Sequence, residues 1–556
     1  MSEGRPDYDV AIVGAGVAGA MIAARLAKQG LSVLLLDAGP ELGDRMTAVG
    51  RFAASAARLP HAPYRDAAAD QNAPSPRVND APQAGHYLQQ TPQTAFKSTY
   101  QRTVGGSTLH FLGNVPRFLP ADFKLKSLYG IADDWPLDYD DLEPWYCEAE
   151  AEMGAAGDHV EWDGLGNGAR SRPFPMPPIW PSYGDKVVRR RLDRKRIDDV
   201  QVEIRITPQA RNSVPYQGRP PCAGNSSCVP ICPIQAKYDA TVHVEIAREA
   251  GCTVLPRAVV HRIDHEAGGR ATALHYHHWS EDGGSRVPGQ ATARIYVVAA
   301  HAIETPLLLL NSGIAPDSPV GECLMDHLQN YGMALMPEPV YPYRGPPVVS
   351  GIDAWRDGEW RTGHAAFRIS IGNDGWGRPE PLDQTVRELV DKGHWGADLR
   401  RAVGDRATHM IRFSYSTEML PDRANRVTLA AGGAPDRLRP AIHFSLPDYN
   451  RRAFDRGNAV VGAMFEAMEA RDARFTWSSG GLSYSGAGHI VGTCRMGATP
   501  ATSVCDADGR IHGSSNIYVA GASVFPTSGT ANPTLTLAAL ALRLADHLKS
   551  RLAAAP

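Results

Sequence analysis

Tyr8-Asp-Val-Ala-Ile-Val13-Gly14-Ala-Gly16-Val-Ala-Gly19 and Leu31-Ser-Val-Leu-Leu-Leu-Asp37 carry the reading of the fold. The first six residues read as a buried strand, apolar from Val10 to Val13. Apolar residues then recur at three and four over Val17–Gln29, and Leu31–Asp37 is a second apolar run ending in an acid. Strand, helix and strand within thirty residues make a βαβ unit. In the intervening Gly-x-Gly-x-x-Gly, Gly14 serves the tight turn, Gly16 lets a pyrophosphate approach the backbone, and Gly19 lets helix and strand pack closely. Asp37 stands where a carboxylate can bind ribose hydroxyls and would repel a 2′-phosphate. The motif predicts an adenine dinucleotide and does not choose between FAD and NAD; a purely structural glycine turn is the alternative.

The 556 residues exceed what one core supports, so two or three lobes are expected. A net charge of −3 excludes broad binding to nucleic acid phosphates. The chain contains no apolar run long enough to span a bilayer, and its polar first residues do not read as a signal peptide. Thr47–Gln93 reads as an irregular excursion. Strands are expected at Thr253–Val260, Arg270–Trp279 and Ala293–Ala299. Helices are expected at Glu304–Asn311, Gln384–Val403 and Pro533–Arg551. Residues 330–480 read as a substrate lobe of short strands and loops.

Further segments carry a resemblance. Arg102-Thr-Val-Gly105-Gly106-Ser107-Thr108-Leu-His110 resembles the first signature of the glucose–methanol–choline (GMC) flavin oxidoreductases. Ala299-Ala-His301-Ala302-Ile-Glu304-Thr305-Pro306 is similar to their second, with Ala302 where relatives often carry Gly. His489-Ile-Val-Gly492-Thr493, Asn532-Pro533-Thr-Leu-Thr536, Ala520-Gly521-Ala522-Ser523 and Leu324-Met325-Asp326-His327 resemble further segments, in the family's order. The resemblance implies α/β plus α+β architecture: a Rossmann-like FAD-binding domain (1–110, 205–330 and 485–556) and a substrate domain on an antiparallel sheet (111–204 and 331–484). It implies that His489 is the catalytic base and Asn532 its partner. It also implies that Gly105, Gly106, Ser107, Gly521, Ala522, Asn532 and Pro533 contact FAD. Asn532-Pro533 is equally a good helix start, with Asn as cap, and that reading stays open.

Cys222-Ala-Gly-Asn-Ser-Ser-Cys228-Val-Pro-Ile-Cys232-Pro233 places three of eight cysteines within eleven residues. Overlaid on a ferredoxin run, it keeps three thiols and the proline and lacks one cysteine, which suits a three-iron cluster. By spacing alone, zinc or plain thiols remain open. The segment is similar to that of bacterial FAD-dependent glucose, fructose, sorbitol and gluconate dehydrogenase large subunits, although their adjacent cysteine pair is here Cys222-Ala223. That branch implies a [3Fe–4S] cluster on Cys222, Cys228 and Cys232, a sugar or polyol substrate, and a cytochrome c subunit as acceptor. It further implies a small chaperone-like export subunit and a periplasmic or membrane-associated location reached through partners, a cytoplasmic location remaining open. A flavin oxidase and a non-catalytic electron-transfer subunit are the rival readings.

Overall fold

The computed structural model describes residues 6–50, 88–90, 96, 98, 100–162, 168–224, 228–229, 231–281, 284–373, 382–432, 435–436, 438–476 and 485–554. Most of the excursion expected over Thr47–Gln93 lies outside the described residues.

The apolar runs of the opening segment become the Tyr8–Val13 and Val33–Leu36 strands of a five-stranded, all-parallel sheet. Its order is Ile517–Val519, Ala293–Val298, Tyr8–Val13, Val33–Leu36 and Thr253–Leu255. Both faces are covered, which is why these strands read as continuous rather than alternating apolar runs. The Val17–Ala27 helix packs against the Thr241–Glu249 helix and the Thr534–Ala554 helix, and the last also packs on Tyr139–Met153.

A second sheet is antiparallel throughout. It runs Arg471–Phe475, Leu328–Leu335, Met410–Thr417, Phe367–Gly372, Ser350–Ile352 and Ile204–Ile206, with Ser485–Gly486 paired to Leu328–Leu335 as well. The Asp448–Ala467 helix backs it. A three-stranded antiparallel sheet, Arg286–Ala291, Ala271–Trp279 and Ala258–His265, stands beside the parallel one.

Two sequence expectations are corrected. Thr253–Val260 is not one strand: the chain leaves the parallel sheet after Leu255, turns at Pro256 and Arg257 (φ +54°), and enters the antiparallel sheet at Ala258. Gln384–Val403 is not one helix but two, Leu382–Asp391 and Gly396–His409. Gly393 at φ +90° and Gly396 at φ +54° adopt a left-handed backbone that a continuous helix cannot contain. Among the described residues no helix is long and apolar enough to cross a membrane.

Candidate active site

The carboxyl ends of the parallel strands open into one cavity of about 800 Å³, which continues along a face of the antiparallel sheet. The three loop glycines act differently around it. Gly14 sits at φ +105°, and a Cβ there would meet the Ala299 carbonyl oxygen at 2.4 Å. A Cβ on Gly19 would stand 1.9 Å from the Gly14 oxygen, so helix and strand are in direct backbone contact. Gly16 lines the cavity, and a Cβ on it would meet no protein atom within 4 Å. It therefore borders cavity space at the uncapped N-terminus of the Val17–Ala27 helix, where backbone N–H groups and the helix dipole favour a phosphate.

Asp37 also lines the cavity and is 8% exposed. Its carboxylate accepts the Ala15 and Gly39 backbone N–H groups, each at 2.8 Å. Burial raises its pKa, while these bonds and Arg102 act against that rise. Gly106, Ser107, Gly521, Ala522, Asn532 and Pro533 line the cavity too. Gly105 is not among the lining residues; at φ +95° it donates its N–H to the Ala15 oxygen at 3.0 Å and so ties this segment to the dinucleotide loop. His110 lines the cavity, bonded to Gln101 at 3.0 Å, with its pKa held down to about 4 by burial and by Lys237. The glycine cradle, the helix terminus and the buried acid fit a flavin dinucleotide.

At the junction of the two sheets, His489 and Asn532 come together although 43 residues separate them. The Asn532 amide nitrogen lies 3.0 Å from Nε2 of His489. Nδ1 of His489 lies 2.9 Å from Nδ1 of His327, whose Nε2 is 3.0 Å from the carbonyl oxygens of both Ser528 and Gly529. The His489 backbone N–H donates to Asp326 at 2.8 Å. Burial, and secondarily His327, hold His489 well below the ordinary imidazole pKa, so it is a neutral base at physiological pH. Sequence motifs flagged Asp326 and His327 but gave them no role; their contacts are long-range and leave no periodic signal.

The sheet face of the cavity carries Gln329, Tyr331, Ser370, Ser414, Ser416 and Arg368. Neighbouring members alternate along their strands, and this period of two was the sequence signal that could have found them. Glu418 and Asn425, considered for a substrate role, are not there. Glu418 is 1% exposed and pairs with Arg361, and Asn425 accepts the Ser445 N–H at 2.7 Å.

Cys228 and Cys232 are buried and Cys222 partly so. Burial raises the Cys228 pKa, Arg211 and Lys237 pull it down, and Cys232 and Cys222 push it up, so the three thiols share one electrostatic neighbourhood. Among the described residues, Nε and Nη1 of buried Arg211 have no hydrogen-bond partner, and Lys237, pushed down to about 8 by burial, donates to the Thr108 and Leu109 oxygens at 2.9 and 3.0 Å. Val229, next to Cys228, lines the flavin cavity. Among the described residues, no three His, Cys, Asp or Glu side chains are close enough to hold a metal ion. Thiols in the electrostatic reach of the buried, incompletely paired Arg211 nevertheless match the chemistry of an anionic cluster.

The FAD dependent oxidoreductase family matches residues 9–394 and the GMC oxidoreductase family residues 421–541. The chain belongs to the GMC oxidoreductases. It is an FAD-dependent dehydrogenase of CH–OH donors. It is 34% identical to the fructose dehydrogenase large subunit of Gluconobacter japonicus, covering 99% of each chain. It is 28% identical to 6'''-hydroxyparomomycin C oxidase of Streptomyces lividus, covering 98% of this chain and 92% of the relative. For 2-methyl-1,2-propanediol dehydrogenase of Mycolicibacterium austroafricanum the identity is 26%, covering 99% of this chain and 97% of the relative. Formate oxidase of Aspergillus oryzae shares the fold, with TM-score 0.64 at 16% identity over 98% of both chains.

Proposed function

We propose that this GMC oxidoreductase oxidises a secondary alcohol or hemiacetal of a sugar, polyol or sugar acid, and that its electrons leave to an external acceptor. The observation carrying this reading is the convergence of His489 and Asn532, 3.0 Å apart, on the cavity that also holds the dinucleotide loop. The whole-length likeness to a fructose dehydrogenase large subunit and the polar sheet face, suited to several hydroxyls, support the substrate class.

FAD, when bound, supplies the acceptor for the hydride. Gly14, Gly16 and Asp37 hold its adenosine and pyrophosphate side, and Gly19 lets helix and strand close up behind them. Gly105, Gly106, Ser107, Gly521, Ala522, Asn532 and Pro533 shape the remainder, within an FAD-binding domain of residues 1–110, 205–330 and 485–556. Residues 111–204 and 331–484 form the substrate domain. Neutral His489 takes the hydroxyl proton, and the Asn532 amide donates to the alcohol oxygen as charge develops on it. Cys222, Cys228 and Cys232 would hold a [3Fe–4S] cluster, which would supply a one-electron relay toward a cytochrome c partner, and Arg211 and Lys237 would offset its charge. A small export subunit and a periplasmic location complete the proposal.

The test is anaerobic addition of D-fructose, D-sorbitol and D-gluconate to the purified yellow protein, followed by re-oxidation. Bleaching by at least one, with turnover on an artificial acceptor and little hydrogen peroxide in air, is expected. Rapid peroxide formation without response to the acceptor would make the protein an oxidase. Failure of every alcohol to bleach the flavin would remove the catalytic reading.

A further inference from the structure

A neutral imidazole has one N–H and one lone pair, and which nitrogen carries the proton is set by its neighbours. Nε2 of His327 faces two backbone carbonyl oxygens, those of Ser528 and Gly529, each at 3.0 Å. Carbonyl oxygens only accept, so Nε2 is the protonated nitrogen. His327 is 1% exposed, and burial keeps its pKa below the ordinary value, so its Nδ1 holds a lone pair. That lone pair lies 2.9 Å from Nδ1 of His489. The proton between the two rings therefore belongs to His489, and the other nitrogen of His489, Nε2, keeps its lone pair, which accepts the Asn532 amide N–H at 3.0 Å.

We propose that the Ser528 and Gly529 carbonyls, acting through His327, lock His489 into the tautomer whose Nε2 carries the lone pair on the Asn532 side of the cavity, where an alcohol proton can be taken once substrate displaces that amide contact. His327 is thus the positioning residue of the base. The inference rests on reading His489 as the base. It also gives the protonated state a support: once His489 has taken the alcohol proton, its Nδ1–H still donates to His327, behind which two carbonyl dipoles stand where other enzymes place a carboxylate. The acid nearby, Asp326, bonds the His489 backbone rather than its ring. Glu418 and Arg356 also act on His327, with opposite signs.

The carbonyls are themselves fixed. Thr527 Oγ1 accepts from Trp135 Nε1 at 2.7 Å, Ser528 Oγ accepts the Met419 N–H at 2.8 Å, and Thr530 Oγ1 accepts from Arg356 Nε at 2.9 Å. Gly529, at φ +57°, lies so close to the Phe118 ring that a Cβ would meet it at 2.8 Å. Successive residues of this strap are pinned by different parts of the chain, so the acceptors cannot turn to suit the other tautomer.

The test is nitrogen-15 NMR of the FAD-loaded protein labelled at histidine, with signals assigned by His327→Gln and His489→Gln. The expected spectrum shows His489 protonated at Nδ1 and bare at Nε2, and His327 protonated at Nε2. His489 protonated at Nε2, or cationic at neutral pH, would overturn the proposal. This readout needs no substrate, so it stands apart from the substrate panel. With whichever of D-fructose, D-sorbitol or D-gluconate bleaches the flavin, His327→Phe should slow flavin reduction about 10–100-fold, the scale on which partners behind a functional histidine act, with KM little changed. His327→Asn, whose Oδ1 replaces the acceptor at Nδ1, should recover part of the rate. An unchanged rate in His327→Phe, or equal loss in both variants, would overturn the relay.

Discussion

The Asn532 amide nitrogen lies 3.0 Å from Nε2 of His489, which turns the side chain before the last helix toward an imidazole of the cavity. Of the two uses open to Asn532 in the sequence, helix cap or site residue, the amide contact serves the second. Among the described residues no backbone N–H of the Thr534–Ala554 helix donates to it.

This pairing sets the first expectation. His489→Ala should slow flavin reduction by at least about 10²-fold, the usual worth of a general base. Asn532→Ala should cost about 10²–10³-fold in kcat, the scale of one donor to a developing oxyanion. Rapid-mixing measurements under anaerobic conditions would read both, and near-normal reduction in His489→Ala would remove it from the chemistry.

Gly16 and Gly19 should separate cofactor binding from folding. Gly19→Ala forces a Cβ to within 1.9 Å of the Gly14 oxygen and should destabilise the protein by about 1–3 kcal/mol, as overpacking does. Gly16→Ala meets no protein atom within 4 Å, so the fold should persist while the flavin retained on gel filtration falls. Full flavin retention in Gly16→Ala would contradict the phosphate cradle.

Asp326 predicts a pH dependence of stability. Burial pushes its pKa up to about 7, against 3.8 for a free carboxyl. Between those values the folded state holds a proton that the unfolded state has released. Its stabilising contribution is therefore complete below the free value, lost as pH rises to about 7, and constant above. The depressed His327 and His489 act oppositely, their contribution being lost as pH falls below the free imidazole value. Asp326→Asn isolates the carboxyl: the Tm difference between variant and parent should grow in the variant's favour from pH 4 to pH 7. A pH-independent difference would refute the buried proton.

Cys228→Ser should abolish iron binding and the paramagnetic signal of the oxidised protein while sparing flavin content and anaerobic bleaching. Iron retained at the parent's level would show that Cys228 is not a ligand.

The parts of this protein that were legible in the sequence are those held by local rules. Tyr8–Val13 and its glycine loop could be read because a buried parallel strand needs an apolar run such as Val10–Val13 and the turn after it needs Gly14. The divided strand at Leu255–Ala258 was not legible, since two apolar runs two residues apart look continuous until one knows they join different sheets. Likewise, Leu382–His409 keeps helical periodicity across Gly393 and Gly396, and only their left-handed backbone reveals the break. His327 illustrates the limit for the site. Its meaning lies in oxygens about two hundred positions away, and no spacing rule reaches that far.

The order in which the chain contributes to its cavity has a consequence for biogenesis. The phosphate cradle is made from the first forty residues, yet the strand Ile517–Val519 and the helix Thr534–Ala554 that complete the same sheet and helix layer come last. A ribosome emits the cradle long before its far wall exists. Cofactor capture should therefore wait for this strand and helix, and a polypeptide cut before Ile517 is expected to be released colourless.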